Sequence, residues 1–231
     1  MTYHILTTQP KIYDSWLKTG LIARAIKKKI IKIKIHNLYN YGLGQHHSID
    51  DTPYGGGAGM ILRVDVLDKA LNKLLTENQP DSPAGRQLTT ILLTPQGKKF
   101  SQKITKKFAQ LDNIILIAGR FEGYDERIRD LVKEEISIGD YVLTSGDLAA
   151  MVFIDAVSRH ISGFIEKKES LQSESFENNL LEYPQYTRPR EFKGKKVPEI
   201  LLSGNHAQIA NWRQKQAIDR TKKRRPDLTR S

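Results

Sequence analysis

Two short stretches, Thr89–Thr94 (TTILLT) and Asn113–Ala118 (NIILIA), are almost wholly apolar and rich in isoleucine and leucine. A strand with one wet face alternates polar and apolar residues. Runs of this kind belong instead to central strands covered on both faces, the condition of a parallel sheet. The rest of the chain agrees, because strand-like and helix-like periods alternate along it. Tyr3–Thr7 reads as a first strand, and Pro10 to about Arg24 carries Ile12, Trp16, Leu17 and Leu21 at helical spacing. Ile31–His36 alternates isoleucine with Lys32, Lys34 and His36, which predicts a strand with one basic, wet face. Tyr41 to Gly59 is glycine-rich loop, Val64–Leu75 an amphipathic helix, and Pro80–Gly85 a turn-rich break. A helix from about Ser101 to Leu111 separates the two apolar runs; Tyr141–Thr144 reads as a further strand and Asp147–Ile161 as a long helix. The expected class is α/β with a mostly parallel sheet.

The pattern changes after Ile165. Glu166–Asn179 is polar and charged apart from Leu171 and Phe176, and Pro184, Pro189 and Pro198 punctuate the stretch after it. Asn205 to about Arg224 reads as a last helix, with Ile209, Trp212 and Ile218 on one side. The expected division is an α/β domain over residues 1–164, an exposed linker over 165–180 and a small, basic, helical domain over 181–231.

Charge narrows the partners. Lys and Arg number 37 against 26 Asp and Glu, a net charge of +11. The excess is clustered: six basic residues and no acid between Arg24 and Lys34, and eight basic residues against Asp219 and Asp227 from Asn211 to the end. A polyanion partner explains such clustering, because each neutralised phosphate releases counterions. The chain has no cysteine, which excludes disulfides, thiolate metal sites and cysteine nucleophiles and fits a reducing cytoplasm. No apolar run approaches the ~18 residues of a membrane helix. The N-terminus lacks a basic segment followed by an apolar one, so a cytoplasmic protein is expected.

Familiar nucleotide signatures are missing. No Gly-Lys-Ser or Gly-Lys-Thr exists, and the glycines at 55–59 have neither a preceding strand nor an acid at dinucleotide-binding spacing. His46 and His47 have no partner three or four residues on, so no metal site is expected there. The chain does carry glycine after strand ends, three times: Thr94-Pro95-Gln96-Gly97, Gly119-Arg120-Phe121-Glu122-Gly123, and Ile138-Gly139-Asp140-Tyr141 with Ser145-Gly146. Ligands of open α/β sheets sit outside the carboxyl ends of strands, and three such loops can form one backbone-lined pocket.

Those loops resemble a known family. Gly55-Gly56-Gly57-Ala58-Gly59-Met60, the three strand-end loops, Asp155-Ala156-Val157-Ser158-Arg159, Tyr186-Thr187-Arg188-Pro189 and Leu202-Ser203-Gly204-Asn205-His206 occur in the order found in the bacterial tRNA (guanine-N1)-methyltransferases, which modify the guanine just 3′ of the anticodon. The resemblance runs from the first strand to about Pro226. It implies a deep trefoil knot of the SPOUT type, which no periodicity reveals, together with a homodimer, a tRNA substrate and S-adenosylmethionine as cofactor. A Mg2+ requirement stays open, with no residue to assign to it.

Residue by residue, the resemblance implies cofactor contacts at Leu93, Thr94, Pro95, Gly97, Gly119, Phe121, Glu122, Gly123, Ile138, Gly139, Tyr141, Leu143 and Gly146. It implies substrate contacts at Gly55, Gly56, Gly57, Gly59, Met60, Arg188, Ser203, Asn205 and His206. The base that removes the N1 proton falls on Glu174, the cation near O6 on Arg159, and a second acidic position on Glu182, with the target base between one subunit's knot and the other's linker. The chain departs from the family pattern in carrying glutamate at 174 and 182 where aspartate is usual. It also has Ala149 for proline, Ser145 for glycine and Phe121 for tyrosine. Two rival readings stand beside this one. A non-catalytic RNA-binding protein would use the glycines only as turns. A knotted ribosomal-RNA methyltransferase is opposed by the 55–60 and 186–189 motifs.

Overall fold

The computed structural model describes residues 1–78, 88–166 and 174–229; the expected break at Pro80–Gly85 and residues 167–173 of the expected linker lie outside them. The chain divides into two compact units, Met1–Ile165 and Glu166–Ser231.

In chain order the first unit contains β1 (Thr2–Thr7), α1 (Gly20–Lys27), β2 (Lys32–Asn37), β3 (Asp50–Asp51), β4 (Ile61–Leu62), α2 (Val64–Glu77), β5 (Leu88–Lys99), α3 (Gln102–Phe108), β6 (Asn113–Ala118), β7 (Glu134–Ser137) and α4 (Asp147–Ser158). Five strands form one parallel sheet in the order β2-β1-β6-β5-β7, and β3 and β4 form a small antiparallel pair. The central strand shows why NIILIA has no polar face. Ile114, Leu116 and Ala118 pack with Ile22 of α1, Phe108 of α3 and Phe153 and Ile154 of α4. Ile115 and Ile117 pack on the other side with Val66, Leu67, Leu71 and Leu74 of α2. Each face buries its own apolar set, as an all-parallel sheet requires.

Three expectations change. The helix over Pro10 to Arg24 is two short 3-10 turns, Pro10–Tyr13 and Trp16–Lys18, followed by α1. Thr19 is extended and Gly20 has φ +63°, which ends the first segment and restarts the helix. The buried residues are therefore Tyr13, Ile22 and Ala25, while Ile12 and Leu21 are exposed. The third strand-end strand is Glu134–Ser137, not 141–144. Its two glutamates hide it in sequence because they are paired, Glu134 with Lys107 and Glu135 with Arg129. Finally, His36 is only partly open to water: its ring stacks on that of buried His4, with Nε2 3.1 Å from His4 Nδ1.

The second unit holds a two-stranded ribbon, β8 (Glu191–Phe192) with β9 (Lys195–Lys196), and one long helix, α5 (His206–Arg224). Asn205 caps α5 by accepting a hydrogen bond from the Gln208 N–H at 3.1 Å.

Candidate active site

At the carboxyl ends of β5, β6 and β7 the chain forms a cleft. Strand β5 interrupts its pairing with β7 between Leu93 and Lys98, so residues 94–97 bulge out there. β6 ends at Ala118 and runs into the 119–125 loop, and β7 ends at Ser137 and runs into residues 138–146. The three segments line one cleft of about 170 Å³, with Tyr124 and Ala149 also in its wall. Two glycines make the approach possible. Gly146 donates its N–H to the Gly119 carbonyl at 2.7 Å, and a Cβ on Gly146 would lie 2.9 Å from the Ala118 Cα. A Cβ on Gly119 would lie 2.2 Å from the ring of Tyr124. That ring is held by its hydroxyl, which is 3.2 Å from the Leu93 carbonyl and 3.3 Å from that of Ile117. Burial pushes the Tyr124 phenol well above its ordinary range, so it stays a neutral donor. Gly119 thus serves the packing of Tyr124 as much as the opening of the cleft.

Of the residues for which the resemblance implies cofactor contact, all but Gly97 line this cleft. Gly97 faces the other way, and a Cβ there would lie 2.5 Å from the Ile136 backbone N, so its smallness lets β5 and β7 approach. The 55–60 loop comes to the same place. Glu122 N–H bonds to the Met60 carbonyl at 3.0 Å, Leu62 N–H to the Gly123 carbonyl at 2.9 Å and Asp125 N–H to the Leu62 carbonyl at 3.0 Å. Gly59, at φ +81°, carries no Cβ where one would meet the Glu122 side chain. Gly55, Gly56 and Gly57 also have positive φ; the first two face open space, and a Cβ on Gly57 would lie 3.8 Å from Pro53 Cγ.

Sequence reading missed Tyr124 as the floor and Arg129 as a brace. Arg129 bonds to Glu126 at 2.6 Å, to Glu135 on β7 and to the Gln96 side chain in the 94–97 bulge. It thereby links the 94–97 bulge, strand β7 and the turn that follows the 119–125 loop, and its role depends on tertiary contacts that no local motif announces. Beneath the cleft, buried Asp147 at the start of α4 accepts from the Thr7 hydroxyl at 2.6 Å and the Tyr13 hydroxyl at 2.7 Å. The proximity of that carboxylate adds to burial in holding the Tyr13 phenol neutral.

The remaining site residues are not in this cleft. Arg159 stands at the carboxyl end of α4. Glu174 and Glu182 lie in the second unit, where the Ser175 hydroxyl accepts from the Glu182 N–H at 3.0 Å and so ties the two acidic segments together. The Glu182 carboxylate contacts the Gln185 side-chain amide. Arg188 lines a separate groove of that unit. Ser203 and Asn205 are engaged locally: Ser203 accepts from the Asn205 N–H at 3.2 Å and donates to the Ile200 carbonyl, while His206 opens α5.

Comparison with known proteins gives the same reading along the whole chain. The profile of the family described as tRNA (Guanine-1)-methyltransferase TrmD matches residues 1–231. A tRNA (guanine-N(1)-)-methyltransferase of Clostridioides difficile is 45% identical over 229 residues, covering 99% of this chain and 97% of that protein. Proteins of the same name from Geotalea uraniireducens and Lacticaseibacillus paracasei are each 46% identical over 99% of this chain, covering 90% and 87% of their own lengths. With cleft, loops and linker all inside the matched span, the chain belongs to the tRNA (guanine-1)-methyltransferase family.

Proposed function

We propose that the protein transfers a methyl group from S-adenosylmethionine to N1 of the guanine immediately 3′ of the anticodon in tRNA, working in the cytoplasm as a homodimer. The observation that carries this reading is the match to the tRNA (guanine-1)-methyltransferase family along the whole chain, and the backbone bonds that bring the 55–60 loop to the 119–125 loop beside the cleft support it. Family membership brings S-adenosylmethionine with it, and the cleft suits that molecule. Leu93, Ile138, Leu143 and Ala149 offer apolar wall, while glycine backbone at 119, 123 and 139 offers N–H and C=O groups. The cleft's ≈ 170 Å³ is smaller than the ~300–1,000 Å³ usual for ligand pockets. Tyr141 and Val142, 55% and 85% exposed at its rim, are the side chains to which we assign the outward movement that admits the ligand.

When bound, S-adenosylmethionine supplies a methyl group already activated on a sulfonium, so the protein's own tasks are alignment and removal of one proton. Neutral guanine carries that proton on N1. In our reading Glu174 takes it, Arg159 stabilises the negative charge growing on O6, and Glu182 orients the segment around Glu174. Helix α4 supports the two-copy part of this reading. Its amino end forms the cleft and its carboxyl end holds Arg159, and at ~1.5 Å per residue the two are about 20 Å apart. Leu148 and Val152, 48% and 47% exposed, form an apolar stripe on the same helix. Two α4 helices packed antiparallel along that stripe would carry each Arg159 to the other copy's cleft. A Mg2+ requirement falls to no residue, since the described residues include no group of three His, Asp or Glu that could hold a metal ion; assay with and without EDTA tests it.

Incubating the protein with methyl-labelled S-adenosylmethionine and bulk tRNA, then mapping the modified nucleotide, tests the reading. Label on N1 of the guanine 3′ of the anticodon is expected. No transfer, or transfer to another position, would overturn it.

A further inference from the structure

The second unit contains a groove of about 450 Å³ lined in part by the segment that follows Glu182. Tyr183, Tyr186, Arg188, Arg190, Leu202 and Arg213 are among the residues lining it. An arginine-bearing surface is often only a solvated one, but three observations set this one apart. The first is lining: among the grooves whose volume falls within the ~300–1,000 Å³ range of ligand pockets, this one joins two tyrosines and three arginines and includes no carboxylate. Grooves of about 360 and 710 Å³ in the first unit are lined instead by Asp51, Asp65 and Asp125 and by Glu126, Glu134 and Glu135. The second is charge. Four arginines elsewhere are paired with carboxylates, Arg63 with Asp51 and Asp65, Arg127 with Asp125, Arg129 with Glu126 and Glu135, Arg225 with Asp227, while Arg120, Arg220 and Arg224 stand singly; here three unpaired guanidiniums share one groove. Arg188, Arg190 and Arg213 have no carboxylate within 4.0 Å among the described residues, and no carboxylate lines the groove. The third is the arrangement of the rings. The Arg213 guanidinium lies 4.8 Å from the centre of the Tyr183 ring, which holds that cation in place, while the Tyr186 ring is half exposed and has no ring or cation partner among the described residues.

A free aromatic face, an apolar floor and three unneutralised guanidiniums are the parts of a site for one unstacked nucleotide, its base on the ring and its phosphates on the arginines. We propose that this groove holds a single unpaired nucleotide of the tRNA anticodon loop other than the guanine that is methylated. The proposal rests on the tRNA-methylating function above and adds a second nucleotide contact to it. The base is gripped by stacking and the backbone by charge, so the groove tolerates different bases at that loop position. It adds binding that is the same in the ground state and the transition state, so it lowers KM for tRNA and leaves kcat alone.

The test uses the full-length protein and a set of anticodon stem-loops in which each loop nucleotide in turn, the target guanine excepted, lacks its base. The wild-type protein should show one position where base removal raises KM about 5- to 100-fold, the range of a base–aromatic stack. In Tyr186→Leu that penalty should disappear, with intact RNA now binding as weakly as the abasic one. Tyr186→Phe, which keeps the ring, should restore the wild-type profile. Arg190→Gln should raise KM for every RNA in the set and flatten the salt dependence of binding. An abasic profile identical in wild type and Tyr186→Leu would overturn the proposal. So would a weakened dimer in sedimentation with the abasic profile unchanged, which would assign the groove to a second copy of the chain. Failure of wild-type protein to methylate the intact stem-loop or whole tRNA would count against the function itself, a separate result.

Discussion

The Met1–Ile165 unit buries apolar side chains on both faces of its sheet, whereas among the described residues of the Glu166–Ser231 unit only Ala217 and Thr221 are buried. The first is held by area removed from water, a non-directional force that fixes a rigid frame. The second is held by directed contacts between α5 and the extended segment beside it. The Thr221 hydroxyl accepts from the Leu181 N–H at 2.8 Å, Arg220 donates to the Glu182 carbonyl at 3.3 Å, and Arg213 and Arg225 cover the rings of Tyr183 and Phe176. In the function proposed above, the tasks divide in the same way. Binding a small molecule in a backbone cleft needs glycines placed to within a fraction of an ångström. Meeting an RNA needs exposed charge and a segment free to adapt.

The largest expected effect breaks the comparison at its functional seam. Glu174→Gln should lower single-turnover methylation by about 10²- to 10⁴-fold, the worth of a positioned general base, with S-adenosylmethionine affinity unchanged. Glu174→Asp should retain far more activity, and Glu182→Gln should lose less than Glu174→Gln. Gly139→Val should instead abolish cofactor binding, because a Cβ at 139 would lie 2.5 Å from the Tyr141 ring, and φ there is +154°. Chains carrying Gly139→Val and Glu174→Gln, co-expressed, should regain activity in heterodimers. No recovery in heterodimers confirmed by mass spectrometry would show that cleft and base belong to one chain.

Equal truncations in the two units sharpen the contrast in forces. Phe153 is fully buried with its ring centre 5.0 Å from Phe100 and 5.1 Å from Phe108. Phe153→Ala should cost about 3–5 kcal/mol in urea unfolding. Phe176 is 46% exposed and lies under Arg225, so Phe176→Ala should cost about 1 kcal/mol or less. Comparable losses would show that the second unit has a true core.

Acid should act on the first unit. Burial, then His36, Lys34 and Lys32, lower the His4 pKa to about 4, and burial lowers His36 as well. An unfolded histidine titrates near ~6.5, so between pH 6.5 and 4 the unfolded chain holds protons that the native one refuses. The contribution of His4 is complete above pH 6.5 and should decline by up to about 3 kcal/mol as pH falls to 4, then level off, and the lowering at His36 acts in the same direction. His4→Gln should flatten that slope in pH-dependent urea melts. An unchanged slope would place the acid sensitivity elsewhere.

The same contrast explains which features are legible in the chain itself. NIILIA announces a central strand because burial on both faces leaves a local mark, and the strand-end glycines announce a cleft because close backbone approach leaves one too. Strand β7 escapes because Glu134 and Glu135 look like solvent residues until Lys107 and Arg129 are beside them. Pro10 to Arg24 keeps a helical apolar spacing, yet Thr19 and Gly20 break it, and a period cannot report a single φ of +63°. Tyr124, Arg129 and the His4–His36 pair act through partners distant in sequence. Glu174, Glu182 and Arg159 have no local signature of their own; only the resemblance singles them out.

The smallest expected effect tests the second unit's directed contacts. Thr221 is fully buried on α5, where its hydroxyl donates to the Ala217 carbonyl at 2.7 Å and accepts from the Leu181 N–H. Thr221→Val keeps the shape and removes both bonds, leaving that half-buried N–H with no side-chain acceptor. The loss should be about 1–3 kcal/mol, and it should be local. Hydrogen exchange should quicken at Leu181 and along the segment carrying Glu182, while amides of β1, β5 and β6 keep their protection. Cofactor affinity should hold and methylation should fall, because the acidic segment is then less well ordered when RNA arrives. Thr221→Ser keeps the hydroxyl and should exchange and methylate close to wild type. If Thr221→Val instead lowers protection in the sheet as well, the two units unfold as one, and the division of forces between them fails.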